Sequence, residues 1–397
     1  MDKQFYFWML VLVCNDCFAQ LSGNKEAVRQ YYIKQSEACG GASELFKKTG
    51  SWKKSSYGDD IIFPDKTFPA KQYNVLLGRI EKVLPIMKEA LPDLGGFDPV
   101  WHGSIRGNSF VPTGPIPASF KSMMFTYYCN TSLNKIILGD ETANVAEIYF
   151  NSYGFFCEKM DQWDINGYGK MISIYQLPDS IGKWKGLTLY EPKQTAGPGL
   201  PIDRAVVLGH NGQMPWHILT QMQYLTGYKN WLLKSMNEQL EGNDTNVKKM
   251  KESIASMQAS KALTQEQKTS IVGKLEQQLK NFQDNSLQKQ IGAAEKIYND
   301  KMKPVNEYLD TATAETLSQK AILATGTEFK GYFAKQGQPG KKLINFTTKY
   351  FNTTLHRYVP QFIVLYWRWG LDPSSLKFAK EMGENFPIEK LKALIDK

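Results

Sequence analysis

The run from Gln361 to Trp369 (Gln-Phe-Ile-Val-Leu-Tyr-Trp-Arg-Trp) constrains this chain more than any other stretch. It is apolar on both faces, the pattern of a strand enclosed within a sheet. A strand is not stable alone, so Gln361–Trp369 needs partners. The chain offers them far upstream, between Phe110 and His210. There Gly and Pro punctuate short aromatic and β-branched runs: Lys121–Cys129, Lys135–Leu138, Val145–Phe150, Tyr153–Cys157, Met171–Leu177, Leu187–Tyr190 and Arg204–Leu208. Their close spacing predicts a mainly antiparallel sheet, with Asn211-Gly212 as the turn that ends it.

Everything between that sheet and Gln361 then reads as an insertion, and its periodicity is helical. Thr220–Leu240 carries Met222, Leu225, Trp231, Leu232 and Met236, and Gly242-Asn243-Asp244 reads as an interruption. Val247, Met250, Ile254 and Met257 follow at helical spacing, then Val272, Leu275, Leu279 and Phe282 beyond Thr264, which forms a capping box with Gln267. Two such stripes predict an antiparallel, coiled-coil-like helical hairpin. Ile291, Ala294 and Tyr298 add a third helix that should stop before Pro304.

Upstream, residues 24–38 and the stripe Tyr73, Leu76, Leu77, Ile80, Val83, Leu84, Met87 and Leu91 are helical, with Pro85 expected to kink or divide the second. The fold class is α+β: a mainly antiparallel sheet with flanking helices and an inserted helical hairpin. The expected organisation is an α+β domain over 20–212, a helical insertion over 213–303, and a C-terminal segment over 304–397 that returns to the first domain.

Residues 1–19 read as a secretory signal peptide. Lys3 precedes the apolar run Phe5–Val13, a polar break follows, and Cys17-Phe18-Ala19 places small residues for cleavage before Gln20. A lipoprotein signal acylated at Cys14 meets Val13 where a small residue is preferred. The apolar run is too short to span a bilayer, and no later run in the sequence is long enough. The expectation is an exported protein, periplasmic or secreted, of the bacterial envelope.

The net charge of +9 comes from scattered basic residues. No Arg-rich tract or zinc-finger spacing accompanies them, so no nucleic-acid partner is expected. Cys39, Cys129 and Cys157 follow the leader in a compartment where disulfides persist. Cys129–Cys157 is the expected pair, because each cysteine ends a strand-like run.

No catalytic, metal or cofactor motif stands out. His210 and His217 lack a third ligand at zinc spacing. His102 and Ser104, in Trp101-His102-Gly103-Ser104-Ile105-Arg106-Gly107, offer a hydrolase pair with His210 and His217 as further bases, but Ser104 follows Gly103 directly and the segment reads as a glycine-rich turn. Glu158 and Asp161 suggest a carboxylate pair. Asp164-Ile165-Asn166-Gly167 fails the calcium-loop register and reads as a hairpin turn. The aromatics carry the strongest binding signal. Trp163 and Trp184, beside glycines and charges in expected loops, are the candidates for exposed contact with a sugar or an apolar ligand, whereas Trp231 and Trp367 are assigned to the core. The leading expectation is a non-enzymatic binding or scaffolding protein with an envelope protein or glycan as partner. An extracytoplasmic hydrolase and an aromatic-faced sugar binder are the alternatives.

Overall fold

The computed structural model describes residues 25–56, 58–62, 68–106, 114–192 and 201–397. The expected signal peptide over 1–19, with Cys14 and Cys17, lies outside the described residues. The protein is α+β, with mainly antiparallel sheets.

Helix α1 (Lys25–Glu37) ends before Gly40-Gly41, both at positive φ, and α2 (Ala42–Phe46) follows. The short strands β1 (Lys53–Lys54) and β2 (Asp60–Ile62) precede α3 (Ala70–Glu81) and α4 (Val83–Ala90). Pro85 does divide this stripe: it sits in the first turn of α4, where its missing N–H costs nothing. Then come β3 (Phe97–Arg106), β4 (Ala118–Asn130), β5 (Lys135–Leu138) and β6 (Val145–Phe150), followed by β7 (Glu158–Trp163), β8 (Ile172–Leu177), β9 (Asp179–Trp184), β10 (Leu187–Glu191), β11 (Ile202–Gly209) and β12 (Trp216–Ile218). Helices α5 (Gln221–Ala259), α6 (Gln265–Asn281), α7 (Gln288–Thr311) and α8 (Ala314–Ser318) lead to β13 (Ile322–Leu323), β14 (Lys341–Phe346) and β15 (Phe362–Trp369). The chain closes with α9 (Pro373–Asn385) and α10 (Ile388–Lys392).

Two compact units result: one from residues up to 158 with 177–217 and 346–397, the other from 159–176 and 218–345. In the first, the large sheet runs β1-β3-β4-β6-β15-β11-β10-β9, with β15 enclosed between β6 and β11. Register explains its core. Phe120, Ile148, Leu365 and Val206 lie opposite one another across four strands, and they join Leu76, Ile80, Val83, Met87, Phe378 and Met382 from the helices in one apolar cluster. The adjacent row, Lys121, Glu147, Tyr366 and Ala205, faces the other way. Phe362, Val364 and Tyr366 on that second face are also fully buried, as expected of a strand apolar on both sides.

In the second unit, α5 carries Leu225, Tyr228 and Leu232 into a core with Ile174, Met302, Val305 and Leu343. Thr220 and Gln223 form a capping box at its start, and Thr264 and Gln267 form the expected one at the start of α6. Gly242-Asn243-Asp244 does not interrupt the helix, which runs unbroken for 39 residues. Gly242 meets no neighbour and Asn243 is buried within this run. Pro304 likewise lies within α7 rather than ending it. The stretch Phe282–Leu287 is a π-helical turn joining α6 to α7.

Three further sequence expectations are corrected. Tyr153–Cys157 is not a strand: Asn151 and Gly154 adopt positive φ there, and Gly154 lies so close to the Tyr149 ring that any Cβ would meet it at 2.2 Å. The Trp101–Arg106 segment belongs to strand β3 and is no turn. The disulfide joins Cys39 to Cys129, with Cα atoms 5.7 Å apart, and Cys157 is free and buried. The reasoning for Cys129–Cys157 fails with the strand it assumed. Instead α1 packs on β4, bringing Gln35 Nε2 to the Cys129 carbonyl at 3.3 Å and Cys39 to its partner.

Candidate functional site

The most developed site lies wholly within the second unit, where β7 faces α5. Tyr224, Tyr228 and Trp231 recur at spacings of four and three, which places them on one face of the helix. The Tyr224–Tyr228 and Tyr228–Trp231 ring pairs stack at 20° and 19°. Trp163, the last residue of β7, meets that face: its ring centroid is 5.5 Å from Tyr224, 6.1 Å from Tyr228 and 6.3 Å from Trp231. Gly227 allows the approach, since a Cβ there would come within 2.9 Å of both Ile165 and the Trp163 ring.

A cavity of about 280 Å³ opens beside these rings, lined by Trp163, Tyr228 and Trp231 together with Asp161, Lys301 and Glu328. Its polar groups are organised. Trp231 Nε1 donates to Asp161 Oδ2 at 2.6 Å, and the Gln162 backbone N–H donates to Asp161 Oδ1 at 2.7 Å. Glu328 pairs with Lys330 at 2.5 Å and Lys301 at 3.0 Å, and these two ammonium groups hold its carboxyl below the usual carboxylate range. Burial, reinforced by Glu328, pushes the Tyr228 phenol well above its ordinary value, so the ring stays neutral. Trp163 Nε1 is buried with no hydrogen-bond partner among the described residues.

Next to the cavity, the β7–β8 turn is built on Asp164. Its carboxylate accepts from the backbone N–H groups of Asn166, Gly167, Tyr168 and Gly169 at 2.6–3.3 Å. Asn230 of α5 donates to the Asp164 carbonyl at 3.1 Å, so this turn is tied to the helix that carries Trp231.

The structure redistributes the residues singled out from sequence. Trp163 is not an exposed loop residue: it is 5% exposed, yet its ring borders the cavity. Trp184 is half-buried and turned inward. It lies 5.2 Å from the Trp367 ring, and its Nε1 donates to the Gly383 carbonyl at 2.8 Å, so it offers no free aromatic face of the kind expected. Trp231, assigned to the core, is instead a wall of the cavity. Glu158 and Asp161, three apart on one strand, point to opposite faces and form no pair.

No hydrogen bond joins the hydrolase candidates to one another among the described residues. His102 and Ser104 sit on one face of β3, with backbone partners Lys121 and Ser119 on β4. Burial and the nearby Lys121 charge hold the His102 imidazole below its ordinary range. Strand geometry separates two such residues by about 7 Å along the backbone, and no hydrogen bond links their side chains among the described contacts. His210 lies elsewhere in the first unit, near a cavity of about 640 Å³ that Asn211, Asp396 and Thr188 help to line. Its Nδ1 is paired with Asp396 and its Nε2 with the Asn211 amide at 2.8 Å. Both ring nitrogens are thus engaged, and neither is hydrogen-bonded to a serine or cysteine among the described residues. His217 is exposed on β12. No group of three or more metal-binding side chains occurs among the described residues.

Sequence reasoning missed Tyr228, Lys301 and Glu328. The Tyr224–Tyr228–Trp231 spacing was a readable signal. Glu328 was not, because it reaches the rings from a loop about a hundred residues along the chain from Tyr228. No helix among the described residues is long and apolar enough to cross a membrane. Comparison of the chain with protein-family models, with curated proteins and with solved structures finds no match.

Proposed function

We propose that this chain is an exported, non-enzymatic binding protein whose second unit captures a small ligand in the cavity walled by Trp163, Tyr228 and Trp231. The observation that carries this reading is the organised wall itself: three aromatic rings beside a cavity, one of them fixed by a 2.6 Å bond from its indole nitrogen to Asp161. Rigid aromatic surface with a few oriented polar groups is the composition of a small-molecule site. Binding rather than turnover is favoured because no serine, cysteine or histidine among the described residues lines the cavity, and Glu328 is held ionised between two lysines, a poor state for a general acid.

Export is supported by the leader-like residues 1–19 and by the Cys39–Cys129 bridge, a bond that persists in oxidising compartments. A scaffold reading based on the helical stripe has less support. Ile254 and Val272 are spent within the second unit, and Met257 is the stripe residue that remains exposed.

Native mass spectrometry of the protein recovered from its own host's envelope tests the reading. A mass beginning at Gln20 with a retained small molecule, released by Trp231→Ala, is the expected result. A ligand-free mass, together with failure of a broad small-molecule panel to bind, overturns it.

A further inference from the structure

We infer that the ligand of the aromatic cavity is an organic cation, a primary or quaternary ammonium group, an inference that rests on the binding reading above. Aromatic faces carry negative charge density and attract cations within about 6 Å of the ring centroid. This protein fills many such faces with its own side chains: Lys54 sits over Trp101, Arg79 over Tyr358, Lys185 over Trp184 and Arg204 over Trp369. Among the described residues, none of its cations sits over Trp163, Tyr228 or Trp231. Lys301 lines the same cavity but is drawn away to Glu328 at 3.0 Å.

The charges of the wall point the same way. Glu328 is neutralised by Lys301 and Lys330, so it makes no further demand for positive charge. Asp161 is different. Its oxygens accept from the Gln162 N–H and from Trp231 Nε1, both uncharged donors, and it forms no ion pair among the described residues. A carboxylate thus stands at the cavity beside three rings with no ion-pair partner among the described residues.

An anionic ligand would be repelled by Asp161, and a purely apolar one would cover a charge it cannot satisfy. A neutral sugar gains hydrogen bonds at Asp161 and weak C–H contacts with the rings, but brings no charge to pair with the carboxylate. An ammonium ion gains from both.

The test is ligand-observed NMR on the full chain with choline, its uncharged tert-butyl isostere and glucose as probes. Choline is expected to bind, and the other two more weakly or not at all. Asp161→Asn keeps an acceptor for Trp231 Nε1 while removing the charge, and should weaken choline at least tenfold. Trp231→Ala should abolish its binding, with retained hydrogen-exchange protection of β13 and β14, in the same unit, confirming that each variant folds. Binding of the isostere or glucose in a Trp231-dependent manner, with choline excluded, overturns the cation inference and leaves the binding reading standing. Choline binding that Asp161→Asn leaves unchanged also overturns it. If no probe binds, the cation inference falls, and the retained-ligand mass measurement then decides the binding reading separately.

Discussion

Asp164 shows how much one side chain organises. Burial works against its charge, but the N–H groups of Gly169, Tyr168, Asn166 and Gly167 converge on the carboxylate and hold its carboxyl below the usual 3.8. A group whose pKa is depressed by folding stabilises the native state above the unfolded pKa, and that contribution disappears as pH falls through the folded value. Asp164→Asn should therefore be less stable than wild type at neutral pH, with the difference shrinking below about pH 4. Urea unfolding at several pH values checks this, and a difference independent of pH would show that geometry rather than charge holds the turn. The sequence displayed Asp164-Ile-Asn-Gly as a hairpin turn, and it is one. For Trp163, one residue earlier, neighbouring Gly and charge suggest exposure, whereas the surface that buries it comes from α5, more than fifty residues on.

At the scale of elements, strands with local pattern were legible and those defined by partners were not. Lys135–Leu138 and Val145–Phe150 occur as read, and Met171–Leu177 differs by one residue. Strand β3, with Asp98, Pro99 and Gly103 in its run, carries little β propensity and forms because β4 pairs along nearly its whole length. The same non-local logic governs the disulfide. Two candidate strand ends suggested Cys129–Cys157, but the helix α1 docked on β4 decides for Cys39. This assignment has a chemical consequence. If the chain is cut before Gln20 as proposed, denaturation without reductant should expose one reactive thiol, that of Cys157, while the native protein exposes none, because burial both shields this thiol and pushes its pKa up. Replacing Cys39 and Cys129 together by serine opens a link across a sequence separation of 90. Loop-closure entropy puts the loss at about 4–5 kcal/mol. Thiol counting that finds Cys39 or Cys129 free, or a double variant with unchanged stability, would contradict the pairing.

The whole molecule is organised by the strand that is apolar on both faces, Phe362–Trp369. Strand β15 occupies the middle of the large sheet, pairing with β6 from Ile363 to Arg368 and with β11 from Phe362 to Trp369. Chain elements that make up the second unit are read out before it, so the first core closes only through contacts of long sequence separation, the costly kind to form during folding. The second core needs none of those strands. Leu225, Tyr228, Met302, Val305 and Leu343 cluster apart from Phe120, Ile148, Leu365 and Val206. Two separate apolar clusters imply that stability is local to each, as is usual when one chain forms more than one compact unit. Leu225→Ala, at a position 1% exposed, should cost about 2–5 kcal/mol, and the cost should fall on the second unit alone. Hydrogen exchange read by mass spectrometry is expected to accelerate in α5, β13 and β14 while β6, β11 and β15 keep their protection. Equal acceleration across all six elements would mean that the two clusters unfold as one cooperative body, and the ligand cavity would then draw its stability from the large sheet as well.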